Sequence, residues 1–401
     1  MFFFLLSLLA TTTQAQQQLE VVLKSGQRLP LVGLGVGNLA HDRIRWVVGH
    51  GVRELGVRVI DTAMASRNEH LIAGAIIEGR DEVLVVTKVW YTHLGYNRTR
   101  LAVADAVAGF SEGSRLVVLI HWPRCREDIP WMRCDEEEAE LEERVKRAGP
   151  PPDPETAWRG SWRALEDAYD AGLVAAIGVS NFDVRDTRDL LGFARVVPHL
   201  AQINLWTYLF DPELVELLEK NEVAIQAYNA MNGVVARRRY APRAYADLER
   251  LGTTTAVGTL VLAALAQRGV AVVPRASTVT HLAENSPAAV AAVPPLDAPT
   301  RDRIDEAMRA LMTGNDFLQV EATFVNRLDE TVGLFWVHAG DEEVAADLPA
   351  GDAATLRTYE GHEFVARVRG QKEVGRFRIT TTTTHNHILL FDITRKTAAE
   401  L

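Results

Sequence analysis

Three ionisable side chains stand within or at the end of short apolar runs. Asp61 ends VRVID, Lys88 lies in VLVVTKVW, and His121 closes LVVLIHWP. Burial of an ionisable group without a partner is costly, so packing alone does not explain these residues. A carboxylate, an ammonium group and an imidazole that meet in one cleft can transfer protons and stabilise a developing oxyanion. We therefore treat Asp61, Lys88 and His121 as candidate catalytic residues.

Polar side chains close three further apolar runs. Ser180 and Asn181 end VAAIGVSNF, Gln202 lies in AQINLW, and Tyr228 closes AIQAYNA. These residues offer amide groups, a hydroxyl and one aromatic face. Such a set suits a planar ring that carries a carboxamide.

The runs that carry these residues belong to a series of eight: 31–37, 57–63, 82–90, 115–123, 174–182, 201–206, 223–230 and 270–276. Most are separated by segments with helical periodicity, for example 156–171 and 255–267. Strand and helix alternation without long hairpins indicates a parallel sheet. Eight units match the size of a closed barrel better than that of an open sheet. We predict an α/β fold, a (β/α)8 TIM barrel over residues 20–312, with its active site at the carboxyl ends of the strands.

Composition excludes several classes of partner. The 401 residues carry a net charge of -10, from 43 basic and 53 acidic residues, which offers no attraction for nucleic acid or an anionic membrane. A hydrophobic fraction of 47% with 24% charged residues is typical of a soluble globular protein.

The amino-terminal segment predicts the cellular location of the protein. Residues 1–15, MFFFLLSLLATTTQA, form an apolar run too short to span a bilayer and end in a small-x-small pattern. We expect a cleaved signal peptide and a protein that is secreted or lies in the lumen of the secretory pathway. A membrane anchor is the alternative, because this segment has no Lys or Arg. In an oxidising compartment Cys125 and Cys134 could pair, whereas two cysteines make no zinc site, so no metal is predicted.

Two segments depart from the barrel pattern. Residues 124–154 form a polar, acidic insertion, interpreted as a solvated helix with breakers, and we assign it no chemistry. After a boundary at 313–316, residues 318–393 change to alternating strands and turns, which predicts a small all-β antiparallel sandwich.

The barrel motifs resemble a known family. LKSGQRLPLVGLGVG, VIDTAMASRNE, VTKVW, LIHWP, WRALEDAYDAGLVAAIGVSNF, AQINLW, AYNAMNG and VVPRASTVTHLAEN look like the successive motifs of the aldo-keto reductases, in the family's order over residues 20–312. The resemblance implies an NAD(P)H-dependent oxidoreductase that reduces aldehyde or ketone carbonyls to alcohols. It makes Asp61, Lys88 and His121 three of four catalytic residues, and Trp90 and Trp122 the lining of a pocket for a small carbonyl substrate.

The fourth catalytic position departs from the family. The family pattern D-T-A-x-x-Y-x-N-E has Ser66 in place of its tyrosine, which is the expected general acid. A serine hydroxyl is a weaker acid with a shorter reach. Three alternatives follow: a water held by Ser66, Lys88 and His121 supplies the proton at a reduced rate; the barrel binds nucleotide without turnover, as a scaffold; or another residue acts. Tyr91 is the nominal candidate, although within a strand its side chain would face away from that of Trp90.

The resemblance also implies a cofactor site. Ser180, Asn181 and Gln202 would hold the carboxamide and Tyr228 would stack on the nicotinamide. Further along, Arg275 would pair with the 2'-phosphate, and Glu284 and Asn285 match adenine-binding positions. Ala276 and His281 replace family residues that favour NADPH, so we expect NADPH with NADH possible. The alternative for this stretch is a polar helix start on the barrel rim.

The C-terminal segment has a resemblance of its own. ATFVNRLDETVGLFWVHAGDEEV and LPAGDAATLRTYEGHEFVARV look like the β domain of the von Hippel-Lindau protein, over residues 318–380. This implies a surface for a peptide or protein partner, with a pocket of Trp336, Thr358, His362 and Phe364. One pocket tyrosine of that family has no counterpart. In the alternative, Trp336 and Phe364 are core residues and 359–362 is a structural turn.

Overall fold

The chain divides into two compact units, Met1–Gly314 and Asn315–Leu401. The computed structural model describes residues 19–79, 82–110, 114–314, 319–338, 341–359, 362–368, 372–379 and 388–394. The predicted signal peptide, residues 1–15, lies outside the described residues. Within these ranges no helix is long and apolar enough to cross a membrane, and no group of three or more His, Cys, Asp or Glu residues is placed to hold a metal ion.

The first unit is built around eight parallel strands. A small antiparallel hairpin, β1 (Glu20–Val22) and β2 (Arg28–Pro30), precedes them. The eight strands are β3 (Leu34–Gly35), β4 (Val59–Asp61), β5 (Val83–Val89), β6 (Ser114–Ile120), β7 (Ala176–Ser180), β8 (Leu200–Asn204), β9 (Ala224–Tyr228) and β10 (Ala271–Val272), and their order in the sheet follows the chain.

Hydrogen bonds between the two end strands close the sheet into a barrel. Val32 and Val272 form a parallel bridge. Val272 N donates to Leu31 O at 2.7 Å, and Gly33 N donates to Val272 O at 2.9 Å. The predicted (β/α)8 fold is confirmed, and the carboxyl ends of all eight strands meet at one end of the barrel.

Helices alternate with the strands: α1 (His41–Glu54), α2 (Glu69–Gly79), α3 (Tyr96–Gly109), α4 (Cys134–Ala139), α5 (Glu143–Ala148), α6 (Ala157–Asp170), α7 (Val184–Phe193), α8 (Leu205–Phe210), α9 (Pro212–Lys220), α10 (Ala230–Gly233), α11 (Pro242–Gly252), α12 (Val257–Ala266), α13 (Val279–Glu284), α14 (Pro287–Ala291) and α15 (Ala298–Thr313). The periodic apolar face predicted for 156–171 is the buried face of α6, where Trp158 and Trp162 are fully enclosed. The acidic insertion contains two short helices, α4 and α5.

The second unit is all-β, as predicted. Its strands are β11 (Gln319–Asn326), β12 (Val332–His338), β13 (Asp341–Leu348), β14 (Ala353–Tyr359), β15 (Glu363–Val368), β16 (Lys372–Arg378) and β17 (Ile388–Ile393). They form a three-stranded sheet in the order β14-β11-β17 and a four-stranded sheet in the order β13-β12-β15-β16. The expectation of a purely antiparallel sandwich is wrong in one place, because β17 runs parallel to β11. Apolar side chains from both sheets, among them Phe324, Leu334 and Phe364, form its core.

Candidate active site

Asp61 and Lys88 form a buried ion pair at the carboxyl ends of β4 and β5. Lys88 Nζ donates to Asp61 Oδ1 at 2.7 Å and to the carbonyl oxygen of Thr62 at 2.5 Å. The Lys88 side chain is 4% exposed and that of Asp61 12%. Gln202 Nε2 donates to the same Asp61 oxygen at 2.6 Å and to Gln226 Oε1 at 2.7 Å. Each charge therefore has a buried partner, which is what allows both to stay inside the barrel.

His121 lies beside this pair at the end of β6 and is uncharged at neutral pH. Burial, and then the nearby Lys88 ammonium, hold the pKa of His121 well below its ordinary value. The Trp90 ring packs edge-on against the imidazole, with the ring centroids 4.9 Å apart. Among the described residues His121 Nδ1 has no hydrogen-bond partner. A neutral imidazole can donate a hydrogen bond to a carbonyl oxygen, but it has no extra proton to give up.

Ser66 faces the same groove from a three-residue 3-10 turn, Met64–Ser66, that follows β4. A buried polar network fixes the residues around this turn. Thr62 Oγ1 donates to Asn68 Oδ1 at 2.6 Å, and Asn68 Nδ2 donates to the carbonyl oxygen of Val36 at 3.0 Å. A Cβ atom at Gly37 would lie 3.5 Å from Ser66 Oγ, so the missing side chain at Gly37 leaves open space above the serine.

Tyr91 lies outside the groove. It belongs to a 3-10 turn, Tyr91–His93, and not to the strand, so the strand alternation considered above does not apply. Its side chain is 2% exposed and is absent from the residues that line the groove. Burial and the Glu137 carboxylate raise the pKa of Tyr91 above its ordinary value. Tyr91 is therefore a weaker acid than an ordinary tyrosine and does not line the groove, so it does not fit the role of the missing tyrosine.

The candidate nicotinamide residues form one hydrogen-bonded group. Tyr228 Oη donates to Asn181 Oδ1 at 2.7 Å, and Asn181 Nδ2 donates to Ser180 Oγ at 3.1 Å and to the His121 carbonyl oxygen at 2.9 Å. Asn181 has a φ of 58°, a left-handed conformation that asparagine tolerates, and it turns the chain at the end of β7. Asn181, Gln202 and Tyr228 line the groove, whereas Ser180 lies buried beneath them at 1% exposure.

The groove continues past β10 to the other candidate cofactor residues. Arg275, Glu284 and Asn285 all line it. The Arg275 side chain is exposed, and its Nη1 donates to the carbonyl oxygen of Gly37 at 3.3 Å. Several lining residues were missed by the sequence analysis, namely Arg238, Tyr245, Glu249 and the run from 253 to 258. Nothing in their composition marks them, because they belong to α11, its flanking loops and the start of α12, which only the closed barrel brings to this edge.

A third tryptophan adds to the predicted pocket. Trp131 packs on Trp90 with centroids 6.2 Å apart and on Trp122 with centroids 5.9 Å apart. Trp90 Nε1 donates to Glu137 Oε2 at 2.6 Å. Both Trp131 and Glu137 lie in the insertion at 124–154, to which the sequence assigned no chemistry. They form one wall of the groove.

Covalent and ionic contacts hold the insertion against the barrel. A disulfide joins Cys125 to Cys134, so the suggested pairing is confirmed, and it encloses the segment that carries Trp131. Arg98, buried in α3, donates to both carboxylate oxygens of Glu138 at 2.8 Å. The wall is therefore a fixed part of the site.

The C-terminal unit brings together three of its four predicted pocket residues. Thr358 Oγ1 and His362 Nδ1 are 3.0 Å apart, and the rings of Trp336 and His362 lie 5.1 Å apart. Phe364 is 3% exposed and packs on Phe324, with ring centroids 5.0 Å apart. Its side chain therefore belongs to the core and not to a ligand-binding surface.

Comparison with known proteins agrees with the barrel fold. The model of the aldo/keto reductase family matches residues 42–309. The chain belongs to this family. This aldo/keto reductase is 26% identical over 275 residues to the aldose reductase of Encephalitozoon cuniculi, which covers 66% of this chain and 86% of the relative. It is 28% identical over 285 residues to a probable NAD(P)H-dependent D-xylose reductase of Aspergillus oryzae, with coverages of 66% and 86%.

A solved structure shares the fold of this aldo/keto reductase. A variant of Gox0644 in complex with NADPH aligns with a TM-score of 0.57 and 24% identity, over 72% of this chain and 93% of that one. At this level of identity the likeness shows the fold alone.

Proposed function

We propose that this protein is an NAD(P)H-dependent oxidoreductase that reduces aldehyde or ketone carbonyls to alcohols. The observation that carries the proposal is the buried Lys88–Asp61 pair beside an uncharged His121, at the carboxyl ends of the barrel strands. A fixed ammonium and a hydrogen-bond donor in a water-poor site stabilise negative charge on a carbonyl oxygen. In a TIM barrel this edge is where chemistry takes place.

The groove fits a nicotinamide dinucleotide. It encloses about 2060 Å³, more than the 300–1,000 Å³ of an ordinary small-molecule pocket. Near the ion pair it offers the amides of Asn181 and Gln202 and the ring of Tyr228 to a carboxamide-bearing ring. At its other end the exposed Arg275 can pair with a phosphate. The names of relatives, which include an NAD(P)H-dependent reductase, support the same cofactor, with NADPH as the first choice and NADH as an alternative.

The proton for the carbonyl oxygen would be delivered in the part of the groove around Ser66. When bound, the cofactor provides a hydride for the carbonyl carbon. His121 would donate a hydrogen bond to the carbonyl oxygen, and the Lys88 charge would stabilise the alkoxide that forms there. A water held between Ser66, Lys88 and His121 would then give a proton to the oxygen and take one back from bulk solvent, so that no hydroxide is left in the site. Because water is a less well positioned acid than a tyrosine phenol, we expect turnover that is measurable but reduced.

Loss of the tyrosine also supports a second candidate function, a barrel that binds nucleotide without turnover and serves as a scaffold. Two measurements separate these functions. The first is quenching of tryptophan fluorescence on titration with NADPH, and the second is NADPH oxidation with a reactive aldehyde such as 4-nitrobenzaldehyde. Binding together with slow turnover supports the reductase. Binding without turnover in the wild type, with turnover gained in Ser66→Tyr, would refute the reductase. No quenching at all would refute nucleotide binding in both candidate functions.

We also propose that the C-terminal unit is similar to the von Hippel-Lindau β domain and binds a peptide or protein partner. The adjacency of Trp336, Thr358 and His362 supports a small polar and aromatic pocket of the kind that receives a hydroxyproline-containing peptide. A synthetic hydroxyproline peptide and its proline counterpart test this in a binding titration. We expect a preference for hydroxyproline that is lost in His362→Ala; equal affinities for the two peptides would contradict it.

Finally, we propose that the chain enters the secretory pathway. The Cys125–Cys134 disulfide supports an oxidising compartment. Expression of the full chain in cultured eukaryotic cells, followed by fractionation of medium and cells, tests the proposal. Protein that stays in the cytosol with its amino-terminal segment intact would contradict it.

A further inference from the structure

The insertion changes the chemistry of the substrate end of the groove. Trp90, Trp122 and Trp131 surround the space next to His121, with ring centroids 5.9 and 6.2 Å apart where they pack together. Trp131 is 57% exposed, although its neighbours hold it in place. All three indoles line the groove, and indole rings attract cations as well as apolar groups.

A carboxylate lies directly beside these rings. Glu137 accepts a hydrogen bond from Trp90 Nε1 at 2.6 Å, which fixes its position, and it is only partly buried. Within the described residues Glu137 takes part in no salt bridge. The two arginines of the insertion that line the groove do, because Arg133 pairs with Glu136 and Arg144 pairs with Glu142.

The reacting end carries no net charge that would oppose a cation. Lys88 is neutralised by Asp61 at 2.7 Å, and His121 is uncharged. Trp90 touches both regions, since its ring lies 4.9 Å from that of His121 and its Nε1 contacts Glu137. One small substrate can therefore place its carbonyl at His121 and another group among the indole rings.

We propose that the preferred substrates are carbonyl compounds that carry a cationic group, such as a substituted ammonium, close to the carbonyl. The cation would lie over the indole faces with Glu137 as its counter-ion, and the disulfide-closed insertion is the part of this chain that provides the site. This inference rests on the proposed reductase function for its kinetic test, but not for its binding test.

The kinetic test uses two aldehydes of nearly equal shape that differ in charge. They are 3-[(trimethylammonio)methyl]benzaldehyde and 3-(2,2-dimethylpropyl)benzaldehyde, compared at fixed ionic strength with saturating NADPH. We expect the wild type to have a KM about tenfold lower for the cation. Glu137→Gln should remove this preference, since glutamine keeps an acceptor for Trp90 Nε1 but has no charge. Asp135→Asn is the matched control, because it removes one negative charge from the same helix, α4, at a residue that does not line the groove and that forms no salt bridge within the described residues.

The binding test needs no turnover. Benzyltrimethylammonium, which cannot react, is titrated against wild type, Glu137→Gln and Asp135→Asn by tryptophan fluorescence. Of the two charge variants, only Glu137→Gln should bind the probe about tenfold more weakly than the wild type. Trp131→Leu should also bind it more weakly, and Trp131→Phe should restore part of that loss. If neither aldehyde is reduced but this pattern of binding holds, the reductase function fails and the cation site stands. If both aldehydes are reduced with equal KM in the wild type and in Glu137→Gln, the cation site is refuted and the reductase stands.

Discussion

Restoration of a tyrosine at position 66 is the most direct test of how this site handles protons. The side chain at 66 faces the groove together with Lys88 and His121, and Gly37 above it has no side chain to block a larger residue. A phenol at this position has an ordinary pKa of about 10, and the neighbouring Lys88 ammonium would lower that pKa further. Ser66→Tyr should therefore place a competent general acid where only water now serves.

The size of the effect follows from the role of the acid. A positioned general acid contributes about 10²–10⁴-fold to the rate, or about 3–5 kcal/mol of the barrier. We expect kcat of Ser66→Tyr to exceed that of the wild type by a factor in this range, with an unchanged Kd for NADPH. Single-turnover oxidation of NADPH, followed by absorbance with an aldehyde in excess, measures the chemical step.

Two controls isolate the hydroxyl group. Ser66→Phe fills the same space without an acid and should gain nothing, and Lys88→Met in the Ser66→Tyr background should cancel most of the gain. The reasoning is refuted if Ser66→Tyr binds NADPH normally and its kcat stays within about twofold of the wild type. It is also refuted if Ser66→Phe gains as much as Ser66→Tyr, because the acid would then be irrelevant.

Three further predictions concern stability. Replacement of Cys125 and Cys134 by serine should lower the free energy of unfolding of the barrel by about 3 kcal/mol, because the unfolded chain gains the entropy of the short loop that the disulfide closes. Urea unfolding curves that coincide for the wild type and the variant would contradict this prediction. Burial lowers the pKa of His199 to about 4. The contribution of His199 to the free energy of unfolding is therefore fully present above pH 6.5, and about 3 kcal/mol of it is lost as the pH drops towards 4. His199→Gln should flatten that part of the pH profile of stability. Asn326 is fully buried and donates hydrogen bonds to the carbonyl oxygens of three residues. Asn326→Ala should therefore destabilise the C-terminal unit by about 2 kcal/mol, which limited proteolysis of the full chain would show as faster cleavage of that unit. An unchanged rate of cleavage would contradict this prediction.

The sequence was sufficient for the barrel because its strands are buried on both faces. Such strands are continuous apolar runs, and each of the eight runs overlaps one observed strand. The first and last residues of the strands were predicted less accurately than their existence, since the last run, 270–276, contains a strand of only two residues, Ala271–Val272. The ion pair of Asp61 and Lys88 could be expected from two charged residues on neighbouring strands. The bond from Gln202 to Asp61 could not, because the two residues are 141 positions apart and only barrel closure brings them together.

The errors have physical causes. The acidic composition of the insertion predicted solvent-exposed polypeptide, but most of its charges form ion pairs. The two cysteines on either side of Trp131 were the feature that indicated an ordered segment. In the C-terminal unit the sequence marks β13 and β14 only weakly, because DEEVAADL and AATLRTY have few large apolar residues in alternation. Pairing with β12 and β11 makes them strands. The parallel pairing of β17 with β11 is a property of topology that local sequence does not encode.

The bond between Gln202 and Asp61 links the two halves of the chemistry. The same Asp61 oxygen that receives Lys88 Nζ also receives Gln202 Nε2, and Gln202 lines the part of the groove that suits a carboxamide. A ligand that takes over the Gln202 amide removes one donor from the carboxylate and leaves Lys88 as its main partner. The strength of the Lys88–Asp61 contact and the affinity for that ligand are then thermodynamically linked, and each must change the other by the same factor. Occupation of the groove would in this way set the electrostatics of proton delivery before any carbonyl arrives.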